Sequence, residues 1–122
     1  MRFDHLVLMA SDLEASAPWY DAVLTAIGFA KTRDHVWVNE HGQAVDLRPA
    51  PHPEHGYRRG GVGMNHVGFA APSREAVEAV AARLQAAGLE VPAIQQFDAA
   101  RALFMKDPDG MRIEIAHEPV SD

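Results

Sequence analysis

The sequence predicts an α+β fold made of two copies of one βαβββ unit, and three observations predict it. First, the chain twice runs through the same order: a strand with a central histidine, a capped helix closed by glycine, then two or three strands with a carboxylate in the last. Second, the registers agree, since Gly28 follows His5 by 23 positions and Gly88 follows His66 by 22, while Asp46 follows Gly42 and Glu114 follows Gly110 by 4 each. Third, Asp4-His5-Leu6-Val7-Leu8 matches Asn65-His66-Val67-Gly68-Phe69, and Ala26-Ile27-Gly28-Phe29 matches Ala86-Ala87-Gly88-Leu89. A repeat of roughly sixty residues is too long for a solenoid unit and reads as a duplicated module. Each module is expected to present a curved sheet covered by a helix on its convex side, leaving a concave face for function.

Phe3 to Ala10 reads as a strand, with Phe3, His5 and Val7 on one face and Leu6 and Leu8 on the other. Ser11-Asp12-Leu13-Glu14 has capping-box spacing, and Leu13, Ala17, Tyr20, Val23, Leu24 and Ile27 follow at helical spacing until Gly28 closes the helix. Pro18 implies that this helix starts nearer Ser16 or bends at the proline. Short strands are expected over 29–33, 35–38 and 44–48, with a turn at Asn39-Glu40-His41-Gly42. The second module repeats this with a strand over 64–71, a helix capped by Ser73 and ended by Gly88, strands over 89–91 and 102–106, and a last strand beginning near Met111. Asp107-Pro108-Asp109-Gly110 carries turn chemistry at every position and makes the final hairpin. The polar tail from Glu118 is expected to fray.

At 122 residues the chain is expected to be one domain: a first module over about 1–50, a linker over about 49–63 and a second module over about 64–118. A hydrophobic share of 48% with 23% charged residues places it among ordinary soluble globular proteins. The net charge of −6 argues against a nucleic-acid partner and against adhesion to anionic membranes. With no cysteine, any metal site must use histidine and carboxylate. Asp4 and His5 interrupt the apolar start of the chain, which is therefore read as neither a signal peptide nor a membrane span, and the expected location is the cytoplasm.

Strand alternation then sorts the functional candidates. If Leu6/Leu8, Val45/Leu47, Val67/Phe69 and Ile113/Ile115 pack on the helices, His5, Asp46, His66 and Glu114 all point to the concave side. Two imidazoles with one or two carboxylates form a complete thiolate-free site for a divalent metal. Arg48 and Arg112 share that face and are candidates for binding an anionic substrate group; Trp37 and Phe104 are candidates for lining the pocket, though both also suit the core. His35, His41, His52, His55 and His117 have no such support and read as surface residues.

These residues, namely Asp4-His5-Leu6, Ser11 to Glu14, Trp19-Tyr20, Asn65-His66-Val67 and Lys106 to Glu114, resemble the vicinal oxygen chelate superfamily. That superfamily includes glyoxalase I, extradiol dioxygenases, fosfomycin-resistance enzymes and bleomycin-resistance proteins. The resemblance spans essentially the whole chain and is most specific in the Asp-Pro-Asp-Gly hairpin with its following carboxylate. It implies paired βαβββ modules forming a cup-shaped mixed sheet around a metal centre, with His5, His66 and Glu114 as ligands of a zinc, nickel, manganese or iron ion. Asp46 falls where glyoxalase I typically has glutamate and is one methylene shorter. The activity implied is that of a metal-dependent lyase or isomerase acting on a small substrate that chelates through adjacent oxygens, with Glu114 or Asp46 as base. An iron dioxygenase and a metal-free small-molecule binder are the alternatives, and no signature of a thiol cofactor is present. The resemblance also implies a homodimer, with the modules paired within one chain or by exchange between two.

Overall fold

A computed structural model describes residues 1–119. It consists of two compact units, the first over Met1–Gly56 and the second from Tyr57 onward. In chain order the first contains β1 (His5–Ala10), α1 (Leu13–Ala26), β2 (Ala30–Arg33), β3 (Val36–Val38) and β4 (Ala44–Pro49). A 3₁₀ turn, Pro53–His55, follows. The second contains β5 (His66–Ala70), α2 (Arg74–Ala86), β6 (Gln95–Phe97), β7 (Ala100–Lys106) and β8 (Arg112–His117). The fold is α+β, with two four-stranded mixed sheets of order β1-β4-β3-β2 and β5-β8-β7-β6. In each, the first and last strands of the module pair in parallel and the other pairs are antiparallel.

The helix ends obey the same chemistry twice. Gly28 and Gly88 sit at φ 98° and 86°. Beside them Phe29 N donates to Leu24 O, Gly28 N to Thr25 O, Leu89 N to Leu84 O and Gly88 N to Gln85 O. Both helices therefore end in a Schellman motif, which requires the left-handed residue that glycine supplies without strain. At the other end Ser73 caps α2 as expected, its hydroxyl accepting from Ala76 N at 3.1 Å. The cap of α1 is Asp12 rather than Ser11, its carboxylate accepting from Glu14 N and Ala15 N. The helix starts at Leu13, not nearer Ser16, and runs through Pro18 in its second turn. There the proline removes one bond, from the Glu14 carbonyl.

The hairpins repeat as closely as the helix ends. Asp107 Oδ1 accepts from Asp109 N and Met111 N, and Gly110 N donates to Asp107 O. Asn39 Oδ1 likewise accepts from His41 N and Gln43 N, and Gly42 N donates to Asn39 O. Each turn thus closes on an Asx side chain and a glycine at φ 75° or 87°. It sets the carboxylate four residues later at the same height in the sheet.

One expected strand moved. Residues 89–91 are not a strand, because the Leu89 amide is committed to the helix cap and Val91 precedes Pro92. The edge strand is instead β6, which pairs with β7 through a turn in which Asp98 takes φ 52°. The core of each unit lies between its helix and one sheet face. Leu8, Ala10, Trp37, Val45 and Leu47 are buried with Tyr20, Val23 and Leu24 of α1; Leu103, Met105, Ile113 and Ile115 are buried with Val77 and Leu84 of α2. No helix among the described residues is long and apolar enough to cross a membrane.

Candidate metal centre

Register assigns the opposite face of each sheet. In the second unit Gly68, Glu114 and Phe104 form one row across β5, β8 and β7, with His66, Arg112 and Lys106 in the next. In the first unit Val7, Asp46 and Val36 form the equivalent row, with His5, Ala44 and Val38 beside it. All four expected ligands therefore occupy the sheet face away from the buried residues, as alternation requires.

In the second unit two of them meet. His66 Nε2 lies 3.2 Å from Glu114 Oε2, and both side chains are partly screened from solvent. Gly68 lies under this approach: a Cβ built there would meet Glu114 Oε2 at 3.5 Å and its Cβ at 3.9 Å, ordinary van der Waals contact, so only a larger side chain would intrude. A strand glycine beside a charged neighbour commonly marks a close approach, and here it lets the glutamate lean across β5.

The other imidazole nitrogen fixes the tautomer. Asn65 Nδ2 donates to Arg59 O at 2.8 Å, so the Asn65 oxygen faces His66 and accepts from its Nδ1–H at 2.6 Å. Tyr57 anchors this corner, its hydroxyl donating to the carbonyls of Met64 and Asn65. With Nδ1 donating to Asn65, Nε2 faces a carboxylate oxygen, an approach satisfied either by a proton on Nε2 or by a cation shared between the two. Two ligands about 2.1 Å from one ion and roughly at right to tetrahedral angles are separated by about 3.0–3.4 Å. The pair thus fits a divalent ion in chemistry and in spacing, and the buttressed Nδ1 is the usual companion of a metal-binding imidazole.

The first unit treats its pair differently. His5 Nδ1 donates to Asp4 Oδ2 at 2.6 Å, which again leaves Nε2 as the available ligand atom. Asp46 turns away to Arg48, whose Nε and Nη2 donate to Oδ2 at 3.0 and 2.6 Å. That guanidinium holds the Asp46 carboxyl below the usual carboxylate range, against a smaller opposing effect of burial and with help from Arg33 and His5. Arg48, expected as an anion-binding residue, is thereby occupied.

Of the remaining candidates, Phe104 is half-buried, the direct cross-strand neighbour of Glu114, and carries the Arg112 guanidinium 4.7 Å above its ring. The Arg112 Nε is buried without a hydrogen-bond partner. Trp37 is corrected: it is fully buried, its indole N–H donating to Asp21 Oδ1 at 2.8 Å, so it belongs to the core and presents no surface to a ligand. It shares the face of its partner Val45, not of Asp46. Gly68 and Asn65, matched only as parts of the repeated segment in sequence, are the further residues of this site. The signals were a glycine in an apolar strand and an amide directly before the histidine.

Among the described residues, the group of three metal-ligating side chains that does come together is His52, Glu54 and His55. These lie in the 3₁₀ turn and were not expected as ligands.

A family model described as the Glyoxalase/Bleomycin resistance protein/Dioxygenase superfamily matches residues 2–115, and the chain belongs to that superfamily. Among its relatives is Uncharacterized protein YqjT of Bacillus subtilis (strain 168), 29% identical over 121 residues, covering 91% of this chain and 94% of that protein. A glyoxylase/bleomycin resistance protein/dioxygenase domain from Frankia sp. EAN1pec superposes with a TM-score of 0.77 at 19% identity, covering 100% of this chain and 95% of that one. A possible glyoxalase from Bacillus cereus gives 0.65 at 25% identity, covering 94% and 97%.

Proposed function

We propose that the chain is a divalent-metal enzyme of glyoxalase type, a lyase or isomerase acting in the cytoplasm on a small substrate with two adjacent oxygens. The observation that carries this reading is the His66 Nε2 to Glu114 Oε2 approach of 3.2 Å, with the imidazole proton held on the far nitrogen by Asn65. His66 and Glu114 anchor the ion, and His5, with Nε2 left available by Asp4, is the equivalent candidate ligand of the first module. When bound, the ion supplies Lewis-acid polarisation of the substrate oxygens.

The chain's own groups divide the rest of the work. Asp46 is a poor base because Arg48 lowers its proton affinity, so the proton-accepting role falls to Glu114. Phe104 offers an apolar wall beside that carboxylate, and the Arg112 guanidinium offers donors to an anionic part of the substrate. A second reading is supported by the Asp46–Arg48 pair. With Asp46 occupied, His5, His66 and Glu114 make a two-histidine, one-carboxylate set, which suits an iron dioxygenase. A homodimer remains part of the proposal and is checked by the solution mass.

Metal analysis of protein purified without chelator, beside Glu114→Ala, tests the reading. About one ion per chain, lost in the variant, is expected; no metal in the wild type would leave only the small-molecule binder. Turnover of 2-oxoaldehyde hemithioacetals against ring cleavage of catechols then separates the two chemistries.

A further inference from the structure

We infer that the turn His52-Pro53-Glu54-His55 is a second divalent-cation site, separate from the sheet-face histidines and suited to ions of the zinc, nickel or copper class. A 3₁₀ turn has three residues per turn, so side chains three apart lie one above the other. His52 caps the turn and His55 ends it, with the His55 amide donating to His52 O at 3.2 Å. Their rings accordingly stack, with centroids 5.2 Å apart and planes 18° apart. Pro53 fixes φ at the first position of the turn, and Gly56 leaves it at φ 64°.

Glu54 completes the set from between the two rings. Its Oε1 lies 3.3 Å from His52 Nδ1 and 4.0 Å from His55 Nε2, and all three ligand atoms fall within 4.8 Å of one another. Atoms bound to one ion at about 2.1 Å stand at most about 4.2 Å apart and each imidazole holds the ion in its own ring plane, so binding requires the two exposed rings to rotate out of their stack as the three ligand atoms draw together. Two imidazoles and a carboxylate select borderline divalent ions over calcium or magnesium. Exposure on one side leaves positions for water, so the site binds more weakly than the sheet-face pair. Separated from the turn by two residues stand the exposed Arg58 and Arg59, so an ion there is expected to reduce the freedom of a stretch that offers trypsin two cleavage sites.

Zn2+ titration of the full chain by calorimetry, with a parallel trypsin time course, tests the site. The wild type is expected to take up two ions, and His52→Ala with His55→Ala only one, with the tighter event retained. His66→Ala with Glu114→Gln is expected to keep the weaker event. Zn2+ slows cleavage after Arg58 and Arg59 in the wild type and not in the His52/His55 variant. An unchanged ion count in the His52/His55 variant would overturn the inference, as would disappearance of the weaker event in the His66/Glu114 variant. Neither result depends on whether the sheet-face pair carries catalysis.

Discussion

The middle rows of the two sheets are built to one plan and differ in all three side chains. In the first module the row is Val7, Asp46, Val36; in the second it is Gly68, Glu114, Phe104. The hairpins, the Schellman ends and the histidine register are shared, so the backbone offers both carboxylates the same starting position. Where β5 has glycine, the longer glutamate crosses to its histidine. Where β1 has valine, the shorter aspartate stays on its own strand and pairs with Arg48 two residues on. Duplication supplies the scaffold, and the side chains of that row decide which carboxylate meets its histidine.

The comparison breaks most directly at Glu114. Glu114→Ala is expected to remove metal and activity together, a loss of at least about 100-fold in turnover with the melting temperature little changed. Gly68→Val copies the first module into the second, and its γ-methyls would occupy the space over which Glu114 leans. It should weaken metal binding by roughly 10–100-fold, measured by competition with a chelating dye, while Gly68→Ala, whose Cβ fits at van der Waals distance, should lose little. Asn65→Ala frees the His66 tautomer and should weaken binding by about tenfold, whereas Asn65→Asp, which imitates Asp4, should restore it.

The reverse exchange sharpens the point. Val7→Gly with Asp46→Glu gives the first module two of the three residues of the second module's row, and the carboxylate is expected to leave Arg48 for His5, tightening metal binding in the same dye assay. The smallest effect is that of Arg48→Ala on stability. Because Arg48 lowers the folded-state pKa of Asp46, the pair stabilises the fold above the unfolded aspartate value of about 3.9, and this is lost as pH falls through the lower folded value. Thermal melts of wild type and variant should therefore differ slightly at pH 6 and converge well below that value. The exposure of Arg48 keeps the difference small.

Much of this was legible in sequence for local reasons. Helix caps, Asx-glycine hairpins and strand alternation depend on residues within a few positions of one another, so the duplicated order, the helix ends and the face of each of the four candidate ligands could be read directly. The misreadings were local competitions. Asp12 displaced Ser11 as cap, and the Leu89 amide went to a helix end rather than a strand. Trp37 suited both the pocket and the core in sequence, and its place in the core follows from pairing with Val45 across the sheet.

By itself, then, the sequence determined the two modules, their turns and the side of the sheet on which His5, Asp46, His66 and Glu114 lie. Only the tertiary structure decided what each of them touches. Alternation fixes a direction, but a contact between strands depends on register and on the volume of the neighbour across the ladder. That is why Glu114 reaches His66 over Gly68 and why Asp46 is held by Arg48.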